Sequence, residues 1–180
     1  ETNQLLDEVR LEVRSSEPPS QKSGGLFMEV ACEPDSLLTA TAERAGFKKF
    51  RITAKNPLES PTTLREAFKT IIQETGPLCI HVSLPCTGWS RWQQVNWVHG
   101  SDRTRIKIAD ERRRSLFLLE TASILMKLGQ ERNAMLSFEW PTGASGWGHA
   151  RSAFERANLL DMREASFDGC RVGTAPQRKQ

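Results

Sequence analysis

The chain lacks most of the features that would assign it a class at once. Its four cysteines, Cys32, Cys79, Cys86 and Cys170, are widely spaced and form no CxxC pair. With only three scattered histidines they do not make a zinc pattern, so no metal is expected. Nothing demands disulfides, and a reducing, intracellular setting, nuclear or cytoplasmic, is expected. No apolar run approaches the roughly 18 residues of a membrane span, so no membrane partner is expected. The start, "ETNQLLDEVR", has no basic segment followed by a hydrophobic one, so no secretion signal is expected. It begins with Glu1 rather than Met, as a fragment or processed piece would. A formal net charge of +3 is too small to mark a nucleic-acid binder by itself.

What remains is an ordinary composition, 38% hydrophobic and 26% charged over 180 residues, enough for one core. The basic residues are unevenly placed. Arg103, Arg105, Lys107, Arg112, Arg113 and Arg114 face only Asp110 and Glu111 in the same stretch. That stretch reads either as a phosphate-contacting patch or as a solvated loop and helix start.

Residues 1–14 suit a short amphipathic helix, and the Ser-, Pro- and Gly-rich stretch 15–25 reads as a linker. The compact domain is therefore expected over 26–180. Within it, strand patterns at 26–31, 48–53, 78–84, 134–140 and 163–169 alternate with helical ones at 34–46, 62–76, 109–129 and 149–160. Residues 87–109 have no clear period and read as a long functional loop. The alternation predicts an α/β fold, a doubly wound and mostly parallel sheet covered by helices on both faces. Ligands of such sheets bind beyond the carboxyl ends of the strands.

Three chemically useful residues fall at those ends. Cys86, in "SLPCTGWSRWQ", follows a strand and a φ-restricting proline. It is either a nucleophilic thiol or a small structural residue in a turn. Glu139, in "LSFEWP", ends another strand and is either a solvated terminus or a ligand-binding carboxylate. Glu29, in "LFMEVACEPDS", occupies the place where doubly wound sheets often meet a cofactor, with a following helix able to offer its N-terminus. The turn after it lacks the GxG pattern that allows close cofactor approach. All five tryptophans lie in two segments, Trp89, Trp92 and Trp97 after Cys86, and Trp140 and Trp147 after Glu139. They serve either to stack on bases or to pack the two segments together. A Cys86–His81 hydrolase is disfavoured, because five residues of extended chain separate the pair by roughly 16 Å.

Taken in order, "LFMEVACEPDSLL", "LPCTGWS" and "LSFEWP" resemble the cofactor motif, the Pro-Cys loop and the Glu-containing strand end of the cytosine-C5 DNA methyltransferases. The series "PCTGWSRWQQVN", "EWPTGASGW" and "FDGCRVG" is similar to a divergent methyltransferase-like domain of mobile-element and virus-like polyproteins. The resemblance spans roughly 26–173 and implies a Rossmann-like methyltransferase fold, cut short at the C-terminus. It implies that Cys86 adds to C6 of a flipped-out cytosine and Glu139 holds the ring near N3. S-adenosylmethionine would supply the methyl group, with Glu29, Ala31, Ser83 and Pro85 beside it. Arg91, Trp92, Arg103 and Arg105 would contact the nucleic acid, expected to be DNA. Three departures, the missing glycine turn, "TAKN" at the end of the second strand and the stop at "APQRKQ", support an alternative. In that alternative the domain is catalytically degenerate and serves as a nucleic-acid-binding or interaction module of a larger polyprotein.

Overall fold

A computed structural model describes residues 1–14, 24–159 and 162–166. Eleven elements follow one another: α1 (Thr2–Arg14), β1 (Leu26–Val30), α2 (Leu37–Arg44), β2 (Lys48–Ile52), α3 (Pro61–Gln73), β3 (Leu78–Val82), a 3-10 turn (Thr87–Trp89), α4 (Arg91–His99), α5 (Asp102–Glu131), β4 (Met135–Phe138) and α6 (Trp147–Arg156).

All strand pairings are parallel, and the order across the sheet is β2-β1-β3-β4. The chain runs from β1 outward to β2, then returns past β1 to β3 and on to β4. The direction of winding therefore reverses between β1 and β3, and their carboxyl ends form the switch point of the sheet.

Side chains alternate across the strands and define two unlike faces. One carries Leu26, Met28, Val30, Leu78, Ile80 and Val82, all buried. Helix α5 lies against it: a methyl group on Gly129 would come within 2.5 Å of Ile80 Cδ1, so only glycine lets the helix approach that closely. Helix α3 joins α5, burying Leu64, Ala67, Phe68 and Ile71. The other face carries Phe27 and Glu29 on β1, Cys79 and His81 on β3, and Met135 and Ser137 on β4. Helix α2 covers its β1–β2 half, where Thr39 reaches Glu29.

Helix α1 packs on α3 and α5, burying Leu6 and Val9 in the same core as the sheet. Arg65 pairs with Glu8 and Glu12 across the α1–α3 seam, and Lys69 pairs with Glu12. The first helix is thus a layer of the domain.

Two expectations about local structure need correction. Residues 87–109 are not a loop. They form the 3-10 turn, α4 and the start of α5, each of the two helices capped by a serine: Ser90 accepts from Gln93 N and Ser101 from Thr104 N. A strand at 163–169 is not formed over 163–166, which carry no regular structure. Residues 167–169, with the rest of "FDGCRVG" and Cys170, lie outside the described residues.

Candidate functional site

The segments after β3 and β4 are bound to each other by specific hydrogen bonds. Glu139 N donates to Val82 O at 2.9 Å, and Trp140 Nε1 donates to Leu84 O at 2.7 Å. Further out, Ser145 donates to Trp89 O from both its amide, at 2.8 Å, and its hydroxyl, at 3.1 Å. Trp89 Nε1 reaches Ser115 on α5 at 2.8 Å, so this buried indole has its donor satisfied. Gly146 fits between the rings of Trp89 and Trp140. Trp140 also packs with Phe138 and Trp147 in tilted and edge-on geometry. Trp89 and Trp140 are therefore packing residues that join the two segments.

Cys86 and Glu139 follow neighbouring strands on this common scaffold. Cys86 is half-buried, a free thiol packed against the core, and its carbonyl accepts from Trp89 N at 2.9 Å to open the 3-10 turn. Glu139 is 61% exposed, and its Oε2 lies 3.8 Å from His81 Nε2. His81 Nδ1 is in turn 2.8 Å from Ser137 Oγ. No hydrogen bond joins Cys86 to Glu139 among the described residues.

The residues expected around a cofactor are arranged differently. Glu29 is buried, and its two carboxylate oxygens accept from Ser36 and Thr39 of the next helix. Ser36 is the N-cap residue of α2 yet makes no side-chain cap, because its hydroxyl is directed to Glu29. Arg51, the register partner of Glu29 on β2, donates to Pro34 O and holds the same turn down. Ala31 adopts φ 64°, a left-handed conformation that normally favours glycine, so the tight turn persists without its usual residue. Ser83 N donates to Val30 O at 3.1 Å and prolongs the β1–β3 pairing. The two cavities bordering Glu139, of about 1030 and 280 Å³, are lined by none of Glu29, Ala31, Ser83, Pro85 or Cys86. Two of the roughly four acceptor positions of the Glu29 carboxylate are thus taken up inside the turn itself.

The other two described thiols, Cys32 and Cys79, are poor nucleophiles. Burial and the neighbouring Glu29 carboxylate push Cys32 up to about 11. Burial also raises Cys79. Among the described residues no group of three or more His, Cys, Asp or Glu side chains is placed to hold a metal ion. None of the described helices is long and apolar enough to cross a membrane.

The expected nucleic-acid contacts lie on a helical hairpin. Arg91 and Trp92 start α4, while Arg103 and Arg105 open α5 beyond the other end of α4. Nine residues of helix separate these ends by roughly 13 Å. Helix α4 buries none of its residues, and Trp92 is 76% exposed. The basic stretch is mostly paired: Arg105 with Asp102, Lys107 with Glu111 and Arg113 with Asp110 along the helix, and Arg114 with Glu59 from before α3. Arg91 and Arg103 have no carboxylate partner among the described residues. Arg112 was not singled out by its type, yet it organises the region. Its guanidinium lies about 5 Å from the centres of both Trp89 and Trp97 rings, and its Nε donates to Gly88 O at 2.9 Å.

The class defined by these observations is an α/β domain with a four-stranded, all-parallel sheet, compatible with a Rossmann-like fold. Comparison with protein-family models, curated proteins and solved structures returned no match to this chain.

Proposed function

We propose that this chain is a methyltransferase-like α/β domain that binds nucleic acid as a module of a larger polyprotein, offering Cys86 and Glu139 toward a base. The observation that carries this reading is the state of α4. A helix directly downstream of the Cys86 turn buries none of its residues and leaves Trp92 and Arg91 exposed, Arg91 beside Gly143. An exposed indole gives a stacking surface for an unpaired base, and Arg91 with Arg103 gives phosphate contacts at either end.

The test is binding of a fluorescein-labelled single-stranded DNA followed by anisotropy at two salt concentrations. Salt-sensitive binding that weakens in Trp92→Ala and Arg91→Ala supports the reading. Binding unaffected by both substitutions, or no binding, overturns it. Titration of S-adenosylmethionine in a calorimeter is expected to give no binding heat, because Glu29 is committed to Ser36 and Thr39.

A second reading, cytosine-C5 methyl transfer, is favoured by one feature: Cys86 and Glu139 follow adjacent strands on segments tied together by Trp140 and Leu84. In it the Cys86 thiolate bonds to C6 of the ring and Glu139 faces the N3 side. It calls for S-adenosylmethionine at Glu29, Ala31, Ser83 and Pro85, which the arrangement of Glu29 disfavours. DNA containing 5-fluorocytosine decides between the two. A cofactor-dependent covalent adduct that disappears in Cys86→Ser would establish methyl transfer, and its absence leaves the binding module.

A further inference from the structure

The sheet face beside α2, which no described helix covers, does not look like the face of an ordinary parallel sheet. Such faces are apolar because helices cover them. The opposite face obeys this rule with Ile80, Val82, Leu136 and Phe138. On the open half, β3 presents His81 where β4 presents Ser137, directly paired in register, and Glu139 comes two residues later. These three side chains, with Asn133, Gln130 and Arg163, line one cavity of about 1030 Å³.

We infer that His81 and Ser137 act as a positioning relay that orients the Glu139 carboxylate toward its ligand, an inference that rests on the reading of Glu139 as a base-contacting group. The ring is the fixed partner and the carboxylate the movable one. The His81 side chain is 14% exposed and is held by Ser137 at 2.8 Å, whereas Glu139 is 61% exposed. A neutral imidazole carries one proton. When the Ser137 hydroxyl donates to Nδ1, that proton sits on Nε2, the nitrogen that faces Glu139 Oε2 at 3.8 Å. The main chain of Glu139 is fixed independently by its bond to Val82 O. The backbone bond fixes the stem, and the imidazole, 3.8 Å from Oε2 and so beyond a direct hydrogen bond in this arrangement, is the donor on which Oε2 closes when Oε1 accepts from a base. The other charged group lining the cavity is Arg163, which adds a cation to the same space. His81 and Ser137 are thus positioning residues that act through Glu139.

Long-range proton–nitrogen NMR of the histidine rings tests this at about pH 8, where an ordinary imidazole is neutral. The Nε2–H form of His81 is expected to predominate. Ser137→Ala is expected to turn it into a mixture, and Ser137→Thr, which keeps the hydroxyl, to restore it. A merely structural role for the serine would leave the tautomer unmoved. A predominant Nδ1–H form, or a Ser137→Ala spectrum like that of the wild type, overturns the relay. A double-mutant cycle supplies the second measurement. His81→Asn weakens single-stranded DNA binding in the wild-type background and has no further effect beside Glu139→Gln. Additive losses overturn the relay. If the wild-type chain binds no DNA, the function reading fails, while the tautomer spectra still decide the relay.

Discussion

The indole N–H of Trp140 donates to the carbonyl of Leu84 across 2.7 Å, and this bond joins the segment carrying Cys86 to the segment carrying Glu139. Both groups are buried, so neither can exchange the bond for water without opening the site. Trp140→Phe keeps most of the ring and strands the carbonyl. A destabilisation of about 1–3 kcal/mol is expected, read from urea unfolding. Trp147→Phe removes a more exposed donor to Pro141 and should cost less.

Gly146 stands where a methyl group would come within 2.7 Å of Trp140 Cζ3 and 2.8 Å of Trp89 Cγ. Both rings are buried in the core. Gly146→Ala should therefore destabilise by about 1–3 kcal/mol through overpacking, seen as a lower denaturation midpoint. Gly148→Ala is the control, since nothing lies within 4 Å of the added carbon.

Cys32 is held near 11 partly by the Glu29 carboxylate beside it. At about pH 8 only about one thiol in a thousand is then ionised, and alkylation is slow. Glu29→Gln removes an anion that opposes thiolate formation, so Cys32 should react faster with iodoacetamide. Cys79, raised by burial alone, should be unchanged. Peptide mass mapping over time distinguishes the sites.

Arg91 and Arg103 flank α4 without carboxylate partners among the described residues. Each alanine substitution should weaken single-stranded DNA binding and lower the salt slope by about 0.7, the value for one neutralised phosphate of a single strand. Arg113→Ala, at a residue already paired with Asp110, should change the slope less.

Trp92 and Trp97 share a helix but should behave differently. Trp92 stands free, and Trp92→Ala should weaken DNA binding by about 1–3 kcal/mol with little effect on stability. Trp97 lies beside the Arg112 guanidinium, so Trp97→Ala should also lower the thermal midpoint. Paired binding and melting curves check the contrast.

The strands were legible because their two faces differ so plainly: "LFMEV", "LCIHV" and "MLSF" each present a separate apolar series. The carboxyl-edge positions of Cys86 and Glu139 followed from those strands. Helix α4 was missed because a helix that buries nothing shows no apolar period. Its signal was instead the serine at Ser90 with Gln93 three residues on, a capping-box spacing. The pairing of Glu29 was not legible, since it depends on Ser36 and Thr39 folding back from the next element. The same holds for Arg112, which reads as one more cation in a basic run until two indoles and a carbonyl converge on it.

The sheet ends in two very different borders. Strand β2, at one margin, begins with Lys48 and Lys49, and paired lysines at an outer strand discourage a foreign strand from docking. Strand β4, the other margin among the described residues, reads "MLSF", has no charge, and leaves Met135 69% exposed. Of the two margins among the described residues, β4 is thus the one that does less to discourage growth of the sheet by another strand. A lysine at Met135 is the simplest way to close it.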